Sequence, residues 1–400
     1  TTIKVHMITD QNDSLFACIV IRYWLIMRVI HLSDTHLGHS AYNKIDPQSG
    51  LNQREVDFYS AFNQIIGYIL EAKPDLVIHS GDLFDSIRPS NRAIHEAFSQ
   101  FARLSRAEIP TVIIAGNHST PRQKETGSIF RLFEYLPQIH PVFEGEYKTL
   151  EIGDTKIHAI PHPYNEDMFK ENFSKLKTDK KFKYNILMTH ATVIGVTAFA
   201  GAEYKELSIP PSVLSKDFDY IALGHIHRFI EVADNAYYSG SPERLSFSEA
   251  DDKKGFLEVE LGSVSVKHIE TKTRDMIDIK PIDCANLDAS HIMKAVEASL
   301  PIDISGKILR MTFQDILPHV YTSLDFKKID ELTSSALHCE KHFEKKSAGI
   351  KSVTTSRIGA LAEEFSAFVK NQNMDDEQKK RMEKIGLGYL EEAEPEVEEQ

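Results

Sequence analysis

The sequence predicts an α/β protein: a sheet with crossover helices on its faces, then a small α+β module and C-terminal helices. Three observations predict it. From Met27, short apolar β-rich runs alternate with segments of helical spacing. Several of those runs stop on the same few polar residue types. After about residue 275 the character of the chain changes, and the alternation gives way to a shorter mixed segment.

Taken in order, "RVIHLS" (28–33) reads as a strand. In residues 55–72, Phe58, Phe62, Ile65, Ile66 and Ile69 recur at helical spacing, and Pro74 closes that helix. "DLVIHSGD" (75–82) is a second buried strand, "NRAIHEAFSQFARL" (91–104) a second helix, and "PTVIIAGNHS" (110–119) a third strand. "TKIHAIP", "YNILMTH" and "YIALGHIH" supply further strands, and "GFLEVEL" with "SVSVKHIE" predicts a hairpin around Gly262. Beyond it, "KILRMTFQDI" reads as a strand and "DFKKIDELTSSALH" (325–338) as a helix. "HCEKH" (338–342) reads as a surface helix. It lacks the glutamate directly after the first histidine that a zinc-protease helix needs. A Ser/Thr/Gly-rich linker, 346–359, precedes two charged helical segments, about 359–372 and 375–390. The expected organisation is an upstream extension (1–26), a catalytic domain (27–275), an α+β domain (276–350), and a linker with partner-binding helices and acidic tail (351–400).

The 400 residues carry 46 Lys and Arg against 59 Asp and Glu, a net charge of −13. Such a balance repels nucleic acid on average, but a local cationic site overrules an average. Part of the excess belongs to the tail "EEAEPEVEEQ". Cys18, Cys284 and Cys339 are odd in number and far apart, which argues against a disulfide framework or a structural zinc cluster and favours a reducing, cytoplasmic setting. The apolar run at 15–32 is interrupted by Arg22 and Arg28 and is short for a membrane span. No G-x-x-x-x-G-K-[ST] occurs, so any ATP-driven motor is another polypeptide.

Chemistry gathers at five strand ends: Asp34 and His36 in "SDTH", Asp82 in "GDLFD", Asn117 and His118 in "GNHS", His190 in "MTHA", and His225 with His227 in "GHIH". Side chains at i and i+2 of an extended segment point the same way, so Asp34 and His36 aim together. Sites in open α/β sheets form outside the carboxyl ends of strands, which predicts one shared crevice. Gly81, Gly116 and Gly224 each precede one of these residues, as expected where backbone turns sharply or approaches closely. Oxygen and imidazole donors without thiolates favour Mn²⁺, Fe²⁺ or Zn²⁺. Eight groups exceed one ion's needs and suit a two-metal centre bridged by Asp82, with the ions about 3.5–4 Å apart. Any single pair of this kind is commonly a buried, hydrogen-bonded strand cap; the joint occurrence is what carries weight. His31, His79 and His158 fall inside strands and read as core or surface histidines. The lysines at 170–183 alternate with acids and read as a solvated face.

In this order, the motifs resemble the calcineurin-like metallophosphoesterase superfamily, whose core is a two-sheet α/β sandwich. "SDTHLG", "GDLFD", "RPS" and "YYSGSPERLSF" are similar to its SbcD and Mre-type DNA double-strand break repair nucleases, and "TSLDFKKIDELT" more loosely resembles their DNA-capping domain. The resemblance implies a manganese-dependent nuclease with two Mn²⁺ per subunit, acting on double-stranded DNA ends as a 3'-5' exonuclease and single-strand endonuclease. It also implies a homodimer, an SbcC/Rad-type ABC ATPase partner, and a nucleoid-associated location. By motif, one metal falls to Asp34, His36, Asp82 and His227, the other to Asp82, Asn117, His190 and His225. His118 becomes the histidine at the leaving oxygen. Two departures stand out: Ser119 replaces the family's usual aspartate after Gly-Asn-His, and Asp85 stands where many relatives carry a histidine. The competing expectations are a phosphoesterase acting on small phosphodiesters or phosphoproteins, and a DNA-end scaffold whose catalysis has decayed.

Overall fold

The computed structural model describes residues 26–121, 124–196, 207–262, 265–344, 369 and 378–385. Residues 1–25 of the 1–26 extension, the linker 346–359 and most of the two C-terminal segments lie outside them; residues 378–385 are helical. Among the described residues no helix is long and apolar enough to cross a membrane.

In chain order the elements are β1 (Met27–Leu32), α1 (Gln53–Ala72), β2 (Leu76–His79), α2 (Asn91–Arg106), β3 (Thr111–Ile114), β4 (Ile139–Val142), β5 (Lys148–Ile152), β6 (Thr155–Ile160), α3 (Glu166–Ser174), β7 (Tyr184–His190), β8 (Thr192–Val193), β9 (Ser208–Ile209), β10 (Tyr220–Gly224), β11 (Ile230–Ala233), β12 (Ala236–Tyr238), β13 (Gly255–Leu261), β14 (Ser265–Glu270), β15 (Met276–Asp278), β16 (Ile282–Asp283), α4 (Ala289–Ser299), β17 (Ile308–Gln314), α5 (Pro318–Tyr321), α6 (Phe326–Leu332) and β18 (His338–Glu344). Two six-stranded sheets result, ordered β14-β13-β1-β2-β3-β4 and β11-β12-β10-β7-β6-β5. Strands β1 to β4 are mutually parallel, as are β12, β10, β7 and β6; antiparallel β13, β5 and β11 flank these parallel cores.

Strand alternation explains the stacking. Val29, Leu76, Ile78, Val112 and Ile114 turn one way and meet Ile157, Ile186, Met188 and Ala222 of the other sheet. Their neighbours Ile30, Leu32, Val77 and Ile113 turn the other way, onto Phe62, Ile65 and Ile69 of α1 and Phe101 and Leu104 of α2. Strands buried on both faces read as unbroken apolar runs, which is why they were legible. Helix α1 starts where the Asn52 side chain accepts from the Arg54 amide and ends on left-handed Lys73 (φ 47°), just before Pro74.

The third sheet is parallel: β18 pairs along all of β17, and β15 and β16 share its other edge. It is tied to the rest of the fold just before β15, where Arg274 grips Asp57 of α1 with two hydrogen bonds of 2.6 and 2.7 Å, and by Phe247, packed against Met276 and Ile308. Two sequence expectations are corrected here. Helix α6 stops at Leu332, six residues before His338, and "HCEKH" is strand β18 rather than a surface helix. All seven residues of β18 pair with β17, and Phe343 stacks on Phe313, so tertiary pairing overrides a locally helix-compatible sequence. His31, His79 and His158 are core residues, at 0%, 1% and 0% exposure. Lys170 and Lys175 pair with Glu166 and Glu171 on the exposed face of α3, as a solvated face requires.

A candidate binuclear metal centre

Residues Asp34 and His36 follow β1, Asp82 follows β2, Asn117 and His118 follow β3, His190 ends β7, and His225 and His227 follow β10. The structure brings all eight to one place, the common carboxyl edge of the two stacked sheets. Making that crevice costs backbone strain. Asp34 (φ 53°), His36 (φ 41°), Asp82 (φ 50°) and His225 (φ 96°) are all left-handed, a conformation costly for residues other than glycine and concentrated at functional sites. Two glycines allow the close approach. A Cβ on Gly81 would lie 2.3 Å from His190 Nδ1, and one on Gly116 would lie 2.2 Å from Asp82 Oδ1.

Hydrogen-bond partners assign the imidazole tautomers. His36 Nδ1 meets Asp85 Oδ1 at 3.2 Å, His227 Nδ1 meets Glu249 Oε1 at 3.0 Å, His190 Nδ1 meets the Ser80 carbonyl at 2.8 Å, and His118 Nδ1 meets the Asp85 carbonyl at 2.9 Å. Carbonyls and ionised carboxylates only accept. Burial would raise both acids, but hydrogen bonds from His36 and His39 hold Asp85 well below the usual carboxylate range. His227 and Lys254 bring Glu249 down to about 2. Each of the four histidines therefore directs an Nδ1 hydrogen at an acceptor, which leaves Nε2 as the nitrogen available to a ligand.

Those nitrogens converge. His36 Nε2 and His227 Nε2 face each other at 3.2 Å, and both group with the Asp34 carboxylate. His190 Nε2 lies 2.9 Å from Asn117 Oδ1 and 3.1 Å from Asp82 Oδ2, while His225 Nδ1 lies 3.2 Å from the same Asn117 oxygen. Electron-rich atoms held this close repel unless something positive sits among them. In the protein alone a proton takes that part: burial would lower His190, but the Asp82 carboxylate outweighs it and pushes the imidazole up to about 9. Reciprocally, burial would raise Asp82, yet His190, His36 and His118 hold it far below the ordinary range. A donor set of two carboxylates, an amide oxygen and four ring nitrogens, with no thiolate, fits two borderline divalent cations. Asp34, His36, Asp82 and His190 are buried, whereas Asn117, His118, His225 and His227 are half-buried and form the side open to a substrate.

Several residues here escaped the sequence. Glu249 and Lys254, whose Nζ meets Glu249 Oε2 at 2.6 Å, sit beyond the quoted "YYSGSPERLSF" and carry no local mark of their role. Ser33 donates to Asp34, and the His225 amide donates to Asp34 Oδ1 at 3.0 Å. His162 could have been found. It stands two residues beyond β6, which is parallel to β7, and its amide donates to Ala115 O at 2.8 Å. Burial, reinforced by His190, lowers its pKa to about 4. Ser119 is buried, and its hydroxyl has no hydrogen-bond partner among the described residues.

Residues 27–229 match the family described as calcineurin-like phosphoesterase. The DNA double-strand break repair protein Mre11 of Methanococcus maripaludis is 28% identical to this chain over 372 residues, 87% of the chain and 92% of that protein. The Mre11 protein of Methanocaldococcus jannaschii is 31% identical, covering 63% of this chain and 69% of its own length. That of Thermoplasma acidophilum is 30% identical, covering 68% and 71%. The chain is thus a member of the calcineurin-like phosphoesterase family, grouped within it with the Mre11 repair proteins.

Proposed function

We propose that this protein is a manganese-dependent nuclease that processes DNA double-strand breaks, with 3'-5' exonuclease action on duplex ends and endonuclease action on single strands. The observation that carries the reading is the pair of lone-pair clusters at the strand ends, a cradle for two cations in a family that uses a dinuclear site. In this reading Asp34, His36, Asp82 and His227 hold one Mn²⁺, and Asp82, Asn117, His190 and His225 the other. Bound there, the ions lower the pKa of an attacking water and neutralise charge on the phosphodiester.

The chain's own residues do the rest. The two Asp82 oxygens diverge: Oδ2 faces His190, and Oδ1 accepts from the His118 amide at 2.9 Å. That amide bond ties His118 to the bridging carboxylate. The Asp85 carbonyl fixes its ring, and the T-shaped contact with His36 at 4.9 Å sets its plane. His118 so held delivers a proton to the leaving oxygen, a contribution typically about 10²–10⁴-fold. An excess of cation charge over the Asp34 and Asp82 carboxylates draws in phosphate and lets an acidic chain handle a polyanion.

The partners proposed are double-stranded DNA ends, an ABC-type ATPase and a second copy of this chain. Similarity to the Mre11 proteins supports all three. Exposed Phe98 on α2, and Leu132 and Tyr135 on the adjacent 3-10 helix, at 36%, 37% and 81% exposure, support the homodimer. The test is cleavage of linear double-stranded DNA in Mn²⁺ by wild type, Asp82→Ala and His118→Ala. Metal-dependent cleavage lost in Asp82→Ala and cut at least 100-fold in His118→Ala supports the reading. Normal cleavage by either variant, or faster turnover of a cyclic nucleotide than of DNA, rejects it.

A further inference from the structure

Behind the two halves of the centre the protein has placed different atoms. His190 rests its Nδ1–H on a backbone carbonyl, that of Ser80, at 2.8 Å. His36 and His227 rest theirs on carboxylates, Asp85 at 3.2 Å and Glu249 at 3.0 Å. Glu249 is itself clamped. Its second oxygen takes Lys254 Nζ at 2.6 Å and the Leu245 amide at 3.2 Å. Lys254, with its side chain 0% exposed, spends its other hydrogens on the His227 carbonyl at 2.8 Å and Ser241 Oγ at 3.1 Å. The lysine thus holds both the carboxylate and the backbone of the histidine that the carboxylate orients. A buried ion pair is weak evidence of a stabilising role. This one converges on a single imidazole, 27% exposed, whose Nε2 points into the cluster.

We propose that Glu249 is a positioning residue that fixes His227 as the Nδ1–H tautomer. With Asp85 behind His36, it makes the Asp34–His36–His227 half the tighter of the two cation sites. The proposal rests on the binuclear reading above. Its physical basis is that an anionic acceptor behind an imidazole both locks the ring and raises the basicity of the far nitrogen, an effect a neutral carbonyl supplies less strongly. Asp34 adds its own carboxylate to that half, and it is held by Ser33 and by the His225 amide.

The experiment is a calorimetric titration of metal-free full-length protein with Mn²⁺ alone, together with long-range ¹H–¹⁵N spectra of the histidine rings. Wild type is expected to bind two ions in two resolved steps. Glu249→Ala should weaken the tighter step about 10–100-fold while moving the weaker step less than about threefold. Glu249→Gln should restore part of the loss, because an amide oxygen still accepts from Nδ1–H and holds the tautomer but brings no negative charge. Were Glu249 merely the charge partner of Lys254, the glutamine would fail like the alanine, which overturns the proposal. An unchanged tight step in a folded Glu249→Ala does the same. Should Glu249→Ala not fold, the glutamine variant and the wild-type spectrum decide, and His227 found with its hydrogen on Nε2 refutes the assignment. Failure of the proposal by either route, with two ions still bound, leaves the binuclear reading intact. Absence of any Mn²⁺ binding by wild type overturns both.

Discussion

Replacing Gly116 by alanine adds one methyl group and nothing else, yet it should disable the centre. The new Cβ would sit 2.2 Å from Asp82 Oδ1 and 2.6 Å from the Asp82 amide nitrogen. Ordinary contact begins near 3.4 Å, so the nitrogen must retreat by about 0.8 Å and the oxygen by about 1.2 Å. A rotamer change cannot absorb this, because one of the struck atoms is backbone. Asp82 is also pinned by the His118 amide at 2.9 Å and His190 at 3.1 Å, so the displacement passes to both. A misplacement near 1 Å typically costs about 10²-fold in rate, and overpacking of this kind about 1–3 kcal/mol in stability. The assay pairs the rate of Mn²⁺-dependent cleavage of linear duplex DNA with the urea midpoint. Cleavage down at least 100-fold, in a protein that still unfolds cooperatively, is expected. Gly116→Ala with wild-type cleavage would refute the close approach of β3's end to Asp82 and the dependence of the chemistry on that carboxylate.

Two further outcomes follow from buried polar groups. His31 bridges the sheets, with Nδ1 2.9 Å from Tyr220 OH and Nε2 3.1 Å from Ser80 Oγ; burial, partly offset by Asp34, lowers its pKa to about 3. Because the folded value lies below the unfolded 6.5, the contribution is complete above pH 6.5 and is lost as the pH falls from 6.5 toward 3. Between pH 6.5 and 4.5 the loss is about 2.5 kcal/mol, read as a falling urea midpoint whose slope is flatter in His31→Asn. Equal slopes would remove His31 from the account. Ser119→Ala deletes a buried hydroxyl that has no partner among the described residues, so stability should hold or rise by about 1 kcal/mol by the same midpoint. A clear drop would mean that the hydroxyl is satisfied.

How much of this the sequence disclosed depended on whether each signal was local. Strands such as Leu76–His79 and Tyr184–His190 announce themselves because both faces are buried, and a polar ligand type ends each run where the sheet ends. The eight candidate site residues were visible for that reason. The partition into two sheets was carried only by resemblance, since no periodicity says that β7 pairs with β6 and β10 and not with β3. Strand β18 was misread because His338, Glu340 and His342 alternate with Cys339 and Lys341, too polar a pattern to mark a strand until β17 is beside it. Glu249 and Lys254 were invisible for a related reason. An acid gains its role here only when a turn brings it to His227, 22 positions earlier in the chain. His162 obeys the same strand-end rule, standing two residues past β6.

The central claim is that Asp82 joins two cations into one centre. Electron paramagnetic resonance of metal-free protein loaded with two equivalents of Mn²⁺ tests it directly. Ions about 3.5–4 Å apart and sharing a bridging carboxylate should give an exchange-coupled signal, replaced in Asp82→Ala by the uncoupled six-line spectrum of isolated ions. An uncoupled spectrum in the wild type at full loading would contradict the account.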